Sequence, residues 1–389
     1  MEKIGFKGLI KYKIYIKLDK EAVVLILNII KKSGLLLDEE TKENLYRLSK
    51  NKKISLKFMK RLSILLEIPY SYFYKHTLLI TSVKNTNIGI RNPKLPFNLG
   101  NVSGARFIGS IMGDGEINSQ IQVRYNNQNK ELIKKIIDCA KDLFGDVDYK
   151  LYLRKDKTYQ LHFPKIVGLI MIEVGLKQGY KSENKYEIPD FIFKKNEKIK
   201  SALIRQFFND EGNVRIKDRR LQVKQTSNIQ VSKRICRERS KELAHKFLIG
   251  IKELLKSLGI DSNISLGAYR DKKADWELSV YGKENLVLYK KKIGFDLYEK
   301  TKKLDDAIKS YKFPSAPRNK KLEFAIKKFK QVEKINGYVT KYLLAKESKR
   351  SLKTAVYYLV DLKKINKIKE VEKAKDKKGH FLPRKYKSV

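Results

Sequence analysis

Two short apolar stretches, each ending in an acidic residue followed by glycine, constrain this chain more than any other feature. They occupy residues 107–115 and 204–212, and their final glycines lie 97 residues apart. Each has the apolar spacing of a helix, and each is followed by strand-like runs, a helix and further strand-like runs. The same order of elements at a fixed offset indicates an internal repeat. We therefore predict an α+β fold built from two αββαββα repeats.

The predicted strands and helices follow from local periodicity. In the first repeat, strands are predicted near residues 120–125, 147–153 and 158–163, around a helix at 130–144. In the second, they are predicted near 214–217, 221–226, 263–269 and 276–281, around a helix at 240–258. The alternation of apolar and polar residues in 221–226 is typical of a sheet with one solvated, basic face.

The charge of the chain indicates its partner. The 87 Lys and Arg residues outnumber the 43 Asp and Glu residues, which gives a net charge of +44 on 389 residues. A hydrophobic content of 42% excludes a disordered basic tail. Such a surface favours a nucleic-acid backbone, with an anionic membrane surface as the weaker alternative. The longest apolar run, residues 22–30, is too short to span a bilayer, and no secretory segment is visible, so we expect a cytoplasmic protein.

The two acid-glycine stretches resemble the signature helix of the LAGLIDADG homing endonucleases. The first reads FIGSIMGDG and the second IRQFFNDEG. The segment PKLPFN at 93–98, the tripeptide GYK at 179–181 and the Ile-Pro pair at 188–189 are also similar to archaeal members. The resemblance covers roughly residues 90 to 305. It implies a monomeric, single-chain, site-specific endonuclease that cuts both strands of a long, asymmetric DNA duplex held in a saddle of two sheets.

The spacing of glycines fits the packing of two such helices. Gly109 and Gly113 lie four residues apart, hence on one helix face, where a second helix can approach closely. We expect Gly115 and Gly212 to end the helices in a conformation that favours glycine. The resemblance implies that Asp114 and Glu211 meet at the pseudo-twofold axis.

The same resemblance implies a metal site and its chemistry. Asp114 and Glu211, with Gly113 and Asp210 beside them, would bind Mg²⁺ through oxygen ligands for an in-line phosphodiester displacement. The alternative interpretation is two amphipathic helices with glycine C-caps and unremarkable acids. An acid near a helix C-terminus is unfavourable, because the helix dipole prefers cations there, so two acids in equivalent places favour a metal.

The second helix departs from the family pattern. Gln206 and Asp210 occupy positions where the family usually has small residues facing the partner helix. Gln206 at this interface would push the backbones apart or need a buried partner for its amide.

Basic and amide side chains complete the predicted site. Lys181 and Lys300 sit where the family pattern has lysines near the acids, although in a lysine-rich chain either can be a solvated surface charge. Arginine favours guanine and glutamine favours adenine in the major groove. Because side chains alternate along a strand, about half of the candidates would point at the duplex. We predict seven DNA contacts on the strands and turns of the two repeats: Gln122, Arg124, Arg215, Arg219, Arg220, Gln222 and Lys224.

The termini are predicted to be additional modules. Residues 1–83 read as helical, and the break at Pro69 between two short helices suggests a helix-turn-helix or a helical hairpin that binds nothing. Residues 84–103 are predicted to be a linker, and residues 104–200 and 201–312 are predicted to be the two repeats. Residues 313–389 carry 23 basic and 7 acidic residues and read as a winged-helix-like DNA-binding module. There, Thr340 and Ser351 would cap helices at 341–347 and 352–364, and the stretches around Lys378 and Gly379 would form the wing.

Other chemistry is not indicated. Cys139 and Cys236 are expected to be buried free thiols, and the four histidines show no metal-ligand spacing, so zinc is not expected. No glycine-rich nucleotide motif occurs. The ends lack protein-splicing junctions, so we do not expect a complete intein. The alternative functions are a catalytically silent DNA- or RNA-binding protein descended from such nucleases, as a transcriptional regulator or intron maturase, and a structural nucleoid protein.

Overall fold

The N-terminal segment is a mixed module in which five helices pack on short strands. The computed structural model describes residues 2–34, 36–179, 181–183, 186–311, 321–372 and 382–389. The elements of this segment are β1 (Lys3–Ile4), α1 (Phe6–Leu9), β2 (Tyr15–Leu18), α2 (Lys20–Ser33), α3 (Glu39–Ser49), β3 (Ile54–Ser55), α4 (Leu56–Leu65), α5 (Tyr70–Lys75), β4 (Thr77–Thr81), β5 (Ile90–Arg91) and β6 (Phe97–Asn98).

The first repeat has the predicted αββαββα order with one additional short strand. Its elements are α6 (Val102–Met112), β7 (Gly115–Ile117), β8 (Val123–Asn127), α7 (Lys130–Phe144), β9 (Asp146–Val147), β10 (Lys150–Leu153), β11 (Tyr159–His162) and α8 (Lys165–Glu173). The helix predicted at 130–144 is confirmed with the same first and last residues. Its ends are set locally, because Asn129 caps the first turn and Gly145 follows the last residue. A 3₁₀ turn (Lys181–Glu183) and α9 (Asp190–Phe193) connect this repeat to the next.

The second repeat has the same core order with a helical insertion. Its elements are α10 (Glu197–Glu211), β12 (Asn213–Arg215), β13 (Arg220–Asn228), α11 (Lys233–Glu238), α12 (Ser240–Leu243), α13 (Lys246–Ser257), β14 (Asn263–Arg270), β15 (Lys273–Tyr281), α14 (Lys283–Lys292) and α15 (Tyr298–Lys309). The single helix predicted at 240–258 is wrong in one respect. The chain breaks at Ala244, and the side chain of His245 then caps α13 by accepting from the Phe247 N–H.

The sheets of the two repeats have equivalent topology. In the first, the antiparallel order is β7-β8-β11-β10, and in the second it is β12-β13-β15-β14. Each sheet consists of two hairpins, and the second strand of one hairpin pairs with the second strand of the other, β8 with β11 and β13 with β15. The α+β class and the two pseudo-symmetric repeats are therefore confirmed.

The prediction that residues 1–83 are helical, followed by a linker, is incomplete. Strands β2, β3 and β4 form a five-stranded sheet with β5 and with β9 of the first repeat, in the order β3-β2-β4-β5-β9. Ile90 and Phe97, within the predicted linker, are fully buried in the main core. Helix α6 begins at Val102 and α10 at Glu197, so both repeats start earlier than predicted. Helices α4 and α5 do flank a break at Pro69, and their role as a helix-turn-helix stays a prediction.

The C-terminal segment has a hydrophobic core of its own. Its elements are α16 (Lys321–Asn336), α17 (Lys341–Ser348), α18 (Leu352–Lys364), β16 (Ile368–Glu372) and β17 (Lys385–Ser388). Thr340 and Ser351 cap α17 and α18 as predicted. Phe329, Leu344 and Leu359 belong to a cluster that is separate from the main core. The predicted wing tip at Lys378 and Gly379 lies outside the described residues, and β16 and β17 on either side of it pair antiparallel.

None of the helices that the structure describes has both the length and the apolar character needed to cross a bilayer.

Candidate active site and nucleic-acid interface

Helices α6 and α10 pack against each other through glycine. A Cβ on Gly109 would lie 2.8 Å from the carbonyl oxygen of Leu203 and 3.1 Å from Cβ of Gln206. A Cβ on Gly113 would lie 2.8 Å from Cβ of Asp210. Any larger residue at Gly109 or Gly113 would therefore collide with α10. We call this helix contact the seam.

The helices end at the seam, although not in the way that the sequence predicts. Helix α6 ends before Gly113, and Gly115 already begins β7, without the left-handed conformation that favours glycine. Gly212 follows α10 in an extended conformation, with φ −73°. Space, not backbone conformation, favours glycine here. A Cβ on Gly115 would lie 2.7 Å from the Ser110 carbonyl oxygen, and one on Gly212 would lie 3.0 Å from the Phe208 ring.

Asp114 and Glu211 leave the two helices at neighbouring positions. Burial raises the pKa of Asp114 to about 6, and the negative charge of Glu211 adds to the shift. Three groups oppose it, namely the charges of Lys181 and Lys300 and a hydrogen bond of 2.7 Å from the Asn127 amide to Oδ2 of Asp114. The two predicted acids therefore share one partly buried, electrostatically coupled site.

Asp210 lies within the seam beside this pair. Burial raises the pKa of Asp210 well above its ordinary value, and the charge of Asp114 adds to the shift. Its Oδ1 accepts hydrogen bonds from the Tyr125 hydroxyl at 2.7 Å and from the Gln206 amide at 3.0 Å. Its Oδ2 is buried without a hydrogen-bond partner. Asp210 is thus a carboxylate held in place on one side and left unpaired on the other.

Gln206 does not separate the helices. It is fully buried, and Nε2 donates to Asp210 and lies 3.3 Å from the Tyr125 hydroxyl. The buried partner that the sequence required is therefore Asp210, while Oε1 of Gln206 stays unpaired.

Tyr125 and Asn127 are site residues that sequence reasoning missed. Both lie on β8, two residues apart and so on one face of the strand. The Asn127 amide also lies 3.3 Å from the Tyr125 hydroxyl, which links Asp114 to Asp210 through two side chains. The sequence contained one signal for them. Tyr125 and Asn127 alternate with the outward-facing residues of this strand, so they share the core-facing side with the apolar Val123.

Lys181 and Lys300 both lie close enough to the acids to be coupled to them. Burial lowers the pKa of each lysine, and the charges of Asp114, Asp210 and Glu211 oppose that shift. The ammonium of Lys300 donates to the carbonyl oxygens of Phe208 at 3.1 Å and Asn209 at 2.6 Å, at the C-terminal end of α10. Neither lysine is the solvated surface charge that the alternative interpretation required.

A buried histidine holds the backbone of Lys181. His245 is 1% exposed, and its Nδ1 accepts from the Phe247 N–H at 3.3 Å. Its Nε2 therefore carries the proton and donates to the Lys181 carbonyl oxygen at 3.0 Å. Burial lowers the pKa of His245, so the ring is neutral near pH 7. A histidine of the second repeat thus positions Lys181, which lies in the connection after the first repeat.

An ion-pair cluster around Asp296 fixes the helices behind the site. Its carboxylate accepts from Arg106 of α6 at 2.6 Å and from Asn209 of α10 at 2.8 Å. Lys135 of α7 lies 3.1 Å away. Burial alone would raise the pKa of Asp296, but Arg106 and Lys135 bring it down to about 2.

The sheet of the second repeat presents one polar face along β13. Leu221, Val223 and Ser227 on the other face of β13 are buried. Four of the seven predicted DNA contacts lie on the polar face of this sheet: Arg215, Arg220, Gln222 and Lys224. Arg219 lies instead in the turn before β13, with its guanidinium 5.3 Å from the centre of the Tyr311 ring.

The sheet of the first repeat presents a smaller polar face. Arg124 lies in register with Glu116 and His162, and its guanidinium is 3.7 Å from the Glu116 carboxylate. Gln122 lies in the turn before β8, where its N–H donates to Asn118. Both residues line a cavity of about 660 Å³ between this sheet and the N-terminal module.

The remaining candidate ligands do not form a metal centre. Cys139 and Cys236 are buried free thiols, as predicted. Within the described ranges, no three or more His, Cys, Asp and Glu side chains are arranged as a ligand set. His380 lies outside those ranges.

Comparisons with known families define the class of the second repeat. Residues 198–294 match the family model of the LAGLIDADG-like domain. This match confirms the resemblance to the LAGLIDADG family for the second repeat, residues 198–294.

Curated relatives share only part of their length with this chain. One is a glutamine–fructose-6-phosphate aminotransferase of Methanocaldococcus jannaschii, 22% identical over 252 residues, or 62% of this chain and 21% of the relative. Another is a probable translation initiation factor IF-2 of Thermococcus kodakarensis, 27% identical over 207 residues, or 52% of this chain and 15% of the relative. The chain therefore spans about a fifth or less of the curated relatives it matches.

Two solved structures are similar to parts of this chain. The homing endonuclease I-DmoI in complex with DNA and Ca is 17% identical, with a TM-score of 0.36, covering 54% of this chain and 98% of that one. Full-length DUF199/WhiA from Thermatoga maritima is 12% identical, with a TM-score of 0.35, covering 70% of this chain and 93% of that one.

Proposed function

We propose that this protein is a divalent-metal-dependent endonuclease that cuts both strands of a long, asymmetric DNA duplex. One observation carries the proposal. Asp114 and Glu211 meet at the ends of two closely packed helices, with Lys181 and Lys300 coupled to them electrostatically. The polar faces of the two equivalent sheets flank this site and supply the duplex-binding surface.

The acids fit a cation. Burial, and after it the negative charge of Glu211, raise the pKa of Asp114 to about 6, and a bound divalent ion would offset both penalties. The buried, unpaired Oδ2 of Asp210 also faces a cost that a nearby positive charge would reduce. The carboxylates of Asp114 and Glu211, with Gly113 and Asp210 beside them, would hold the ion through oxygen ligands. Mg²⁺ is our proposal, because it prefers oxygen ligands of this kind.

Each residue of the site has a distinct role in the proposed reaction. The bound metal supplies activation of water and stabilisation of the leaving oxygen in an in-line displacement. Asn127 holds the Asp114 carboxylate in one orientation. Lys181 and Lys300 place positive charge beside the acids, where the phosphate would enter, and stabilise the charge that develops on it. Lys300 is held there by two backbone carbonyls.

A randomised duplex library tests this function directly. The purified protein is incubated with the library and Mg²⁺, with Ca²⁺ as a parallel condition, and the products are sequenced. We expect discrete double-strand cuts from the wild type and none from Asp114→Asn, with DNA binding near the wild-type level. Asp190→Asn, an exposed acid in the first turn of α9, is the matched control and should cut normally. If Asp114→Asn still cuts, the metal assignment is wrong.

A second function fits the departures at the seam. Gln206 and Asp210 fill the interface with a hydrogen-bonded pair where a nuclease of this family usually has small residues. The C-terminal module adds a further basic surface. A catalytically silent DNA- or RNA-binding protein, such as a transcriptional regulator or intron maturase, would show specific enrichment without cuts. Structured RNA would then be the next ligand to measure.

A further inference from the structure

The polar face of β13 contains a buried acid among its basic residues. Glu277 lies on the neighbouring strand β15, directly opposite Lys224. It is 7% exposed, and Gln222 and Ser279 on the same face are buried too, whereas Lys224 is exposed. A buried carboxylate in a surface that binds a polyanion weakens phosphate binding, so charge attraction alone does not explain its presence.

Glu277 binds the basic residues on both sides of it. Its Oε1 accepts from the Arg220 guanidinium at 2.7 Å and from the Ser279 hydroxyl at 3.0 Å, and Oε2 lies 3.8 Å from the Lys224 ammonium. Asp218, in the turn before β13, contacts Arg215 at 2.8 Å and Arg220 at 3.7 Å. Positive and negative groups therefore alternate along the face.

These contacts fix the position of Arg220 before DNA arrives. The guanidinium is held between two carboxylates, its Nε is buried without a hydrogen-bond partner, and the side chain is 29% exposed. An arginine fixed in this way loses little conformational entropy on binding. Reading guanine requires a bidentate geometry, whereas a phosphate contact tolerates a mobile side chain.

We propose that Glu277 is a specificity-determining residue of the second repeat: it directs Arg220 and Lys224 to base edges and away from phosphates. This inference rests on the proposed DNA-binding function of the same face. The first repeat has a similar pair, in which Glu116 of β7 lies in register with Arg124 of β8 at 3.7 Å. An acid beside an arginine thus occurs on the reading face of both sheets.

Selection from a randomised duplex library, with and without the acid, tests the proposal. The experiment uses the full chain with Ca²⁺ and compares the wild type, Glu277→Gln and Glu40→Gln. The last is the matched control, because Glu40 pairs with Arg61 on the exposed surface of the N-terminal module. We expect Glu277→Gln to lose base preference at a few positions in one half of the selected site only, with the specificity ratio falling about tenfold.

Affinity for non-specific duplex should change in the opposite direction. Freeing Arg220 and Lys224 for phosphates should tighten the binding of Glu277→Gln and steepen the slope of log K against log salt by about 1. Arg220→Ala should lose the same base preferences but bind non-specific duplex more weakly. A misfolded variant would not gain affinity, so the two changes separate the proposal from a folding defect.

The outcomes are distinct. Unchanged base preference in Glu277→Gln, or a loss spread over both halves of the site, would overturn the role of Glu277. A wild-type protein that enriches no sequence would overturn the proposed function, and this inference with it.

Discussion

At the residue scale, the buried charge of Asp114 makes stability depend on pH. The pKa of Asp114 is raised to about 6 in the folded protein, above its ordinary value of 3.8. The folded state is therefore penalised for the ionised carboxylate, fully above about pH 6 and less as the pH falls towards 4. Asp114→Asn removes this penalty.

We therefore expect Asp114→Asn to stabilise the protein by up to about 3 kcal/mol at pH 8 without metal, and by much less at pH 4. Urea unfolding of both proteins in chelator, across this pH range, measures the difference. A stability difference that does not vary with pH would contradict the buried, ionised carboxylate.

His245 is the second prediction at this scale. His245→Ala removes the donor to the Lys181 carbonyl oxygen and leaves that oxygen with one fewer partner. We expect single-turnover cleavage to slow about tenfold or more, with DNA affinity retained, and a loss of roughly 1–3 kcal/mol in stability. His245→Gln, which can donate from its amide, should recover part of the rate. Equal rates for both variants, measured well below their unfolding temperatures, would show that His245 has only a packing role.

Single residues show how far the sequence determines the site. Asp114, Glu211, Lys181 and Lys300 were predicted because each has a fixed place in a family pattern, and the structure brings them together. Tyr125, Asn127 and Glu277 were not predicted. Their roles depend on which strand pairs with which and in what register, and residues far apart in the chain decide that.

At the element scale, Gly109 within α6 and Gly113 just after it differ in which atoms of α10 a larger side chain would meet. A Cβ on Gly109 meets backbone of α10, which cannot move aside, whereas one on Gly113 meets the side chain of Asp210. We expect Gly109→Ala to cost roughly 1–3 kcal/mol in stability, and Gly113→Ala a similar amount. Asp210→Ala, which removes Oδ2 and Cγ but keeps the Cβ 2.8 Å away, should rescue the second substitution in part and the first not at all. Thermal unfolding of the single and double variants gives the coupling, and equal coupling at both glycines would contradict this geometry.

The elements that the sequence missed are the short ones. The strands of the N-terminal module have two to five residues, too few for an alternation of period two to appear. The longer elements between them are helices, so the helical pattern dominates the segment. Strand β5 is held between β4 and β9, and it pairs with β9 through Ile90 and Val147, which lie 57 residues apart. Such non-local pairing leaves no local signal. Helix α7, by contrast, was predicted to the residue because its caps and its apolar face are all local.

At the scale of the whole molecule, charge and core are divided unequally. Residues 313–389 carry 23 of the 87 basic residues and only 7 of the 43 acidic ones. The described helices of this segment share a hydrophobic cluster that includes no residue of the main core. The charge of the segment can therefore be removed without opening the core that positions the acids.

Removal of residues 318–389 tests what the C-terminal module contributes. The remaining chain keeps every residue of the main core, so its thermal unfolding should stay within a few degrees of the wild type. DNA binding should weaken, and the slope of log K against log salt should flatten, because phosphate contacts are lost. Fluorescence anisotropy with a labelled duplex, between about 50 and 200 mM salt, measures both quantities. An unchanged slope would exclude the module as a DNA contact, and would leave the two sheet faces as the DNA-binding surface of the chain.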